Sequence, residues 1–245
     1  MTRKHAAEYG CVSGEPAQIA QSCAQHIARA LKTAVAARGA ASLMLSGGSS
    51  PKPLFKALQS ADIDWPKISV SLVDERWVAP GEDGSNETFI KSAFLQGRAA
   101  EARFISLKTT APRAALGLAE IEERFAGVAA PFDVCVMGMG LDSHTASWFP
   151  GSPDCAQAMS LETAPRFAAI DASGCAGAGR FPERITLTLT AVLSSRHIIL
   201  FIPGTPKAEV FARSMLGNPY ETPVGALKSA ANRLTVYTTL GEGNS

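Results

Sequence analysis

Four short segments of this chain gather side chains able to hold anions and move protons: Ser46-Gly47-Gly48-Ser49-Ser50-Pro51, Asp74-Glu75-Arg76, Gly138-Met139-Gly140-Leu141-Asp142-Ser143-His144-Thr145 and Pro203-Gly204-Thr205-Pro206-Lys207. In the third, Asp142 and His144 stand two apart in a glycine-led loop, close enough for the carboxylate to orient the ring. An imidazole near its ordinary pKa takes a proton from water and gives it back. The same spacing also suits a pair of metal ligands. The further ligands that a metal needs are not evident, so no metal is expected.

The SGGSSP segment has its own logic. Glycines let backbone approach an anion, serines add hydroxyl donors, and Pro51 opens a helix whose unpaired N–H groups attract phosphate. It is not a Walker loop, since GxxxxGK[ST] is absent. An ordinary strand-to-helix turn is the plain alternative. Lys207 sits in the first turn of another predicted helix, where a cation opposes the helix dipole, which suggests a ligand there; a solvated lysine is the other reading. Asp74, Glu75 and Arg76 read either as a surface salt-bridge cluster or as an anion clamp through Arg76. Arg184, just ahead of ITLTL, invites the same two readings.

These segments follow predicted strands. Apolar positions at three and four predict a helix over 17–38, with Pro16 at its start and Gly39 past its end. Strands are predicted at 42–45, 68–73, 132–137, 166–170, 185–189, 197–202 and 234–238. Further helices are predicted from Pro51, over 86–95, over 114–125 and over 207–216. The uninterrupted apolar run at 132–137 suits a parallel strand covered on both faces. The alternation implies an α/β fold: an open, largely parallel sheet with helices on both faces, in one domain spanning 1–245. In such sheets ligands bind beyond the carboxyl ends of the strands, where the four segments fall. The run 174–179 (GCAGAG) reads as a surface loop. His5 falls in the N-terminal segment, His26 on the first helix and His197 at a strand start, so these three read as structural or solvated.

Composition narrows the field. Lys plus Arg total 23 against 22 Asp plus Glu, so the net charge is +1, and no broad basic face for nucleic acid is expected. No apolar run reaches the ~18 residues of a membrane span, and MTRKHAAEYG leads into no apolar signal segment. The five cysteines are scattered and never spaced CxxC, as expected of reduced, mostly buried thiols in a reducing, cytoplasmic setting. No GxGxxG follows the first strand, which disfavours a nicotinamide enzyme.

Taken in order, SGGSSPKPLF, DERWV with Ser85-Asn86 after it, GMGLDSHTASWFPG, RITLTL and PGTPK resemble the signature blocks of the 6-phosphogluconolactonase family. The wider superfamily includes glucosamine-6-phosphate deaminases and has a modified Rossmann-like arrangement. The resemblance runs from Leu43 to Lys207, and the long block around His144 is its most specific part. It implies hydrolysis of 6-phospho-D-glucono-1,5-lactone, in the oxidative pentose phosphate pathway, with no cofactor.

Residue by residue, the resemblance implies that His144 is the general base, supported by Asp142. Asp74 belongs with them in the catalytic set and, with Arg76, lines the sugar side. Ser49, Ser50 and the backbone of Gly47 and Gly48 hold the phosphate, assisted by Arg184 and Lys207. N–H groups around Gly138–Gly140 are candidate oxyanion donors. Ser50 stands where Thr is usual, which keeps the hydroxyl. Ser143 stands where Gly is usual, a costly choice if the position needs positive φ. The deaminase pattern places a Glu five residues after its histidine, whereas this chain has Phe149, which cannot carry a proton. The alternatives are a sugar-phosphate isomerase or deaminase and a non-catalytic sugar-phosphate-binding domain.

Overall fold

In the computed structural model, which describes residues 9–162 and 165–239, the chain starts with strand β1 (Gly10–Ser13). It continues through α1 (Pro16–Arg38), β2 (Ala41–Leu45), α2 (Lys52–Leu58) and β3 (Ile68–Leu72). Next come β4 (Asp74–Arg76), α3 (Asn86–Ala93), β5 (Arg103–Phe104), α4 (Ala114–Arg124) and β6 (Val134–Met137). The remainder forms α5 (Pro153–Ala158), β7 (Phe167–Asp171), β8 (Glu183–Leu187), α6 (Leu189–Ser194), β9 (His197–Ile202), α7 (Thr205–Ser214) and β10 (Leu234–Thr238).

Seven strands form one parallel sheet in the order β1-β10-β9-β6-β2-β3-β5, with helices packed around it. β2 and β6 sit at its centre with every residue buried, as their largely apolar sequences require. α1 turns Ile19, Cys23, Ile27, Leu31 and Ala34 inward. It ends where Gly39 adopts φ +78° and returns its N–H to Val35 O at 2.8 Å. The order of connection reverses between β2 and β6: the chain runs outward to β3 on one side and to β9 and β10 on the other. That reversal opens a crevice at the strand ends, where Gly138 N–H donates to Ser46 Oγ at 2.9 Å and ties the two loops together.

A second, three-stranded antiparallel sheet, β4-β8-β7, was not foreseen from the sequence. Val73 joins the two sheets: its N–H bonds Leu45 O at 3.0 Å, and its carbonyl accepts from Leu187 N at 2.8 Å. DER is therefore a strand rather than a loop, with Asp74 opposite Thr186 and Arg76 opposite Arg184. β8 also lies two residues earlier than expected, because Thr188 leaves the strand to cap α6 by accepting from Ala191 N. β1, β5, α5 and α6 are too short to show a period in the sequence.

His26 and His197 are paired, as structural residues: His26 Nδ1 lies 3.0 Å from Tyr237 Oη, and its Nε2 lies 3.4 Å from His197 Nδ1. Cys23, Cys135 and Cys155 are buried, whereas Cys11 is exposed and Cys175 half-buried; all five are free thiols. His5 lies outside the described residues. Among those residues, no helix is long and apolar enough to cross a membrane.

The loop after β6 is held at many points. Ser143 N–H donates to Gly140 O at 3.0 Å, and Gly140 N–H donates to His144 O at 2.9 Å. Trp148 is fully buried, with its indole N–H on Leu187 O at 2.9 Å. Within this loop Ser143 has φ +70° and is buried. A Cβ in that region costs ~1–2 kcal/mol, partly offset in glycine by its greater freedom when unfolded. Ser143→Gly should therefore stabilise the fold by about 0.5–1 kcal/mol, raising Tm by roughly 1–4 °C in calorimetry. An unchanged or lowered Tm would contradict this.

Candidate active site

The loops after β2, β6 and β9 and the edge of the small sheet enclose a cavity of about 220 Å³. His144 lines it. The ring's Nδ1 lies 2.6 Å from Asp142 Oδ1, which also accepts the His144 backbone N–H at 3.2 Å. Burial works to raise the Asp142 carboxyl, but the hydrogen bond and charge of His144 outweigh it and hold the group below its ordinary value. Asp142 is thus an ionised acceptor facing Nδ1, so in the neutral ring Nδ1 carries the hydrogen and Nε2 the lone pair. The His144 side chain is 26% exposed and lines the cavity. Asp142 holds the ring from behind rather than standing beside it as a second ligand. No third His, Cys, Asp or Glu completes a metal-binding group among the described residues.

Two glycines make room for this pair. A Cβ on Gly140 would collide with His144 Nδ1, and one on Gly177 would collide with Asp142 Oδ2. The 174–179 run is a surface loop, as expected, and through Gly177 it is also a wall of the site. Arg184 anchors it, donating from Nη2 to Ala178 O at 2.9 Å and from Nε to Phe181 O at 2.5 Å. Its guanidinium lies 5.3 Å from the centroid of Phe149, whose ring is 4.8 Å from that of His144. Phe149 is a buried floor under both groups.

Asp74 is buried, accepts Ser147 Oγ–H at 2.7 Å and lies 3.7 Å from Arg184 Nη1. Burial lowers the Arg184 pKa to about 10, against the pull of Asp74, so the guanidinium remains charged at neutral pH. Arg76 donates from Nη1 to Gly84 O at 2.7 Å and to Asn86 Oδ1 at 2.8 Å. Its Nε is buried with no acceptor among the described residues, a donor awaiting a partner that the protein does not supply. Lys207 Nζ donates to Ser50 Oγ at 2.9 Å, and burial pushes its pKa down. No acidic group pairs with Lys207 among the described residues, which leaves its charge free to meet an anion in the cavity.

Of the residues singled out from sequence, Gly47, Gly48, Ser50, Asp74, Arg76, His144, Arg184 and Lys207 line one cavity, and Asp142 stands behind His144. Ser49 does not line it and faces a neighbouring groove shared with Gly48, Arg76 and Asn86. Two of the three N–H groups expected to meet an oxyanion are engaged internally: Gly138 by Ser46 Oγ and Gly140 by His144 O. Sequence reasoning missed Ser147 and Gly177. Nothing about a lone serine marks Ser147, whereas the glycines of GCAGAG did signal a close backbone approach.

A family model described as glucosamine-6-phosphate isomerases/6-phosphogluconolactonase matches residues 14–236. A 6-phosphogluconolactonase of Rhizobium meliloti (strain 1021) is 39% identical over 224 residues, which cover 91% of this chain and 94% of that protein. One from Xylella fastidiosa (strain 9a5c) is 36% identical over 202 residues, 82% of each chain. The crystal structure of a 6-phosphogluconolactonase from Shewanella baltica OS155 superposes with a TM-score of 0.86 at 35% identity, covering 96% of this chain and 99% of that one. The chain belongs to the glucosamine-6-phosphate isomerase/6-phosphogluconolactonase family.

Proposed function

We propose that this cavity hydrolyses 6-phospho-D-glucono-1,5-lactone to 6-phospho-D-gluconate, with His144 activating the water. The observation that carries the mechanism is the 2.6 Å contact between Asp142 and His144 Nδ1, which in the neutral ring assigns the lone pair to Nε2, in a cavity that also holds Lys207. The 6-phosphogluconolactonase names of the relatives and of the Shewanella structure support the substrate. Action in the cytoplasm, by one α/β domain, goes with this reading.

The substrate phosphate sits against Lys207, Ser50 and the Gly47–Gly48 backbone, so that binding energy far from the reacting carbon orients the ring. Arg76 and Asp74 face the sugar. His144 Nε2 takes a proton from water as its oxygen bonds C1, giving a tetrahedral oxyanion and an imidazolium. Asp142 stabilises that cation. When the bond between C1 and the ring oxygen breaks, the imidazolium returns the proton to the departing oxygen, leaving a carboxylic acid that ionises and a free hydroxyl. Phe149 occupies the place of the deaminase glutamate, and an apolar ring cannot relay a proton. Ring opening with amine release therefore lacks one of its groups here.

His144→Ala should lower kcat by ~10²–10⁴-fold, with affinity for the phosphorylated product changed little. The check is lactone disappearance corrected for spontaneous hydrolysis, with calorimetric binding of 6-phosphogluconate. Near-normal turnover would remove His144 from the mechanism. Lys207→Ala should raise KM by ~10-fold or more and leave kcat largely intact, as expected for a contact made equally in ground and transition states. A loss confined to kcat would place Lys207 on the reacting end.

A further inference from the structure

Glu75 is a fully buried carboxylate that plays no part in the reaction above, and its position is expensive. Oε1 accepts the Arg76 N–H at 2.7 Å and the Asn86 N–H at 2.8 Å. Oε2 accepts the Glu87 N–H at 2.7 Å and the Ser85 hydroxyl at 3.3 Å. All four partners donate, and Glu75 forms no ion pair among the described residues. Burial drives its pKa up to about 7 in spite of those hydrogen bonds.

The partners give the expense a purpose. Arg76 and Asn86 are the residues whose side chains line the cavity, and Glu75 holds the backbone N–H of each with a single oxygen. Asn86 extends the linkage, donating from Nδ2 to Asp74 O at 2.9 Å while its Oδ1 accepts from Arg76. The carboxylate thus joins the small sheet to the first turn of α3, where a negative charge also complements the helix dipole. We infer that Glu75 is a positioning residue that fixes Arg76 and Asn86 for the phosphosugar by holding β4 and the start of α3 in one register. An apolar residue of similar size would fill the space at lower cost but would hold neither N–H.

This inference rests on the proposed lactonase reading, and one set of assays separates the two. Glu75→Gln keeps the shape but turns its amide N–H₂ toward at least one backbone N–H, a group that can only donate. With the wild-type enzyme assayed alongside, the variant should show a KM raised ~10-fold and a kcat within about threefold. A loss of thermal stability alone, with KM unchanged in the folded fraction, would overturn the inference. So would a fall in kcat with KM unchanged. Absence of wild-type turnover would instead overturn the lactonase reading. Should Glu75→Gln fail to fold, Ser85→Gly removes one donor to the carboxylate while glycine still serves as a helix cap. Its KM should rise about two- to threefold, and an unchanged KM in that folded variant would overturn the inference equally.

Discussion

Which nitrogen of His144 carries a hydrogen is decided by a carboxylate two residues away. Asp142, kept ionised by its contact with the ring, accepts from Nδ1 and so leaves Nε2 as the base. Much of the local structure serves that contact. Gly140 and Gly177 have no Cβ because a Cβ would occupy its space, and Arg184 secures the wall that carries Gly177. Phe149 supports the ring from below. The loop accepts a left-handed residue at Ser143 to turn sharply enough, and Val224 N–H holds that turn through Ser143 O at 3.1 Å.

Charge burial is the second constraint. Asp74, Glu75 and Arg184 are all buried within a few ångströms of the cavity, and each is matched by hydrogen bonds rather than left bare. The chain manages this by leaving the parallel sheet at Val73 and starting a second sheet at once. Asp74 and Arg76 thereby come opposite Thr186 and Arg184 instead of trailing into solvent. Lys207 and Arg76 both line the cavity, and neither pairs with an acidic side chain among the described residues. An anionic substrate matches that imbalance.

The parallel sheet was legible because β2, β6 and β9 are dominated by apolar residues and each ends in a glycine-bearing loop, so the strand-end rule already located the cavity in the sequence. The three-residue strand β4 was not legible: DER has no period, and its pairing with β8 joins residues more than a hundred apart in sequence. Arg184 was picked out as a cation near a strand end, but its hold on the 174–179 loop depends on that unforeseen sheet. Ser49 looked equivalent to Ser50 by type. Only the turn into α2 sends one to Lys207 and the other to the adjoining groove.

The hydrogen-bonded state of one ring decides the matter most directly. Nitrogen-15 NMR of His144 in the resting enzyme at pH 8, assigned by comparison with His144→Ala, should show a protonated Nδ1 and a bare, imine-type Nε2. A ring protonated at Nε2 with Nδ1 bare would contradict the orientation by Asp142, and with it the role of His144 as the base.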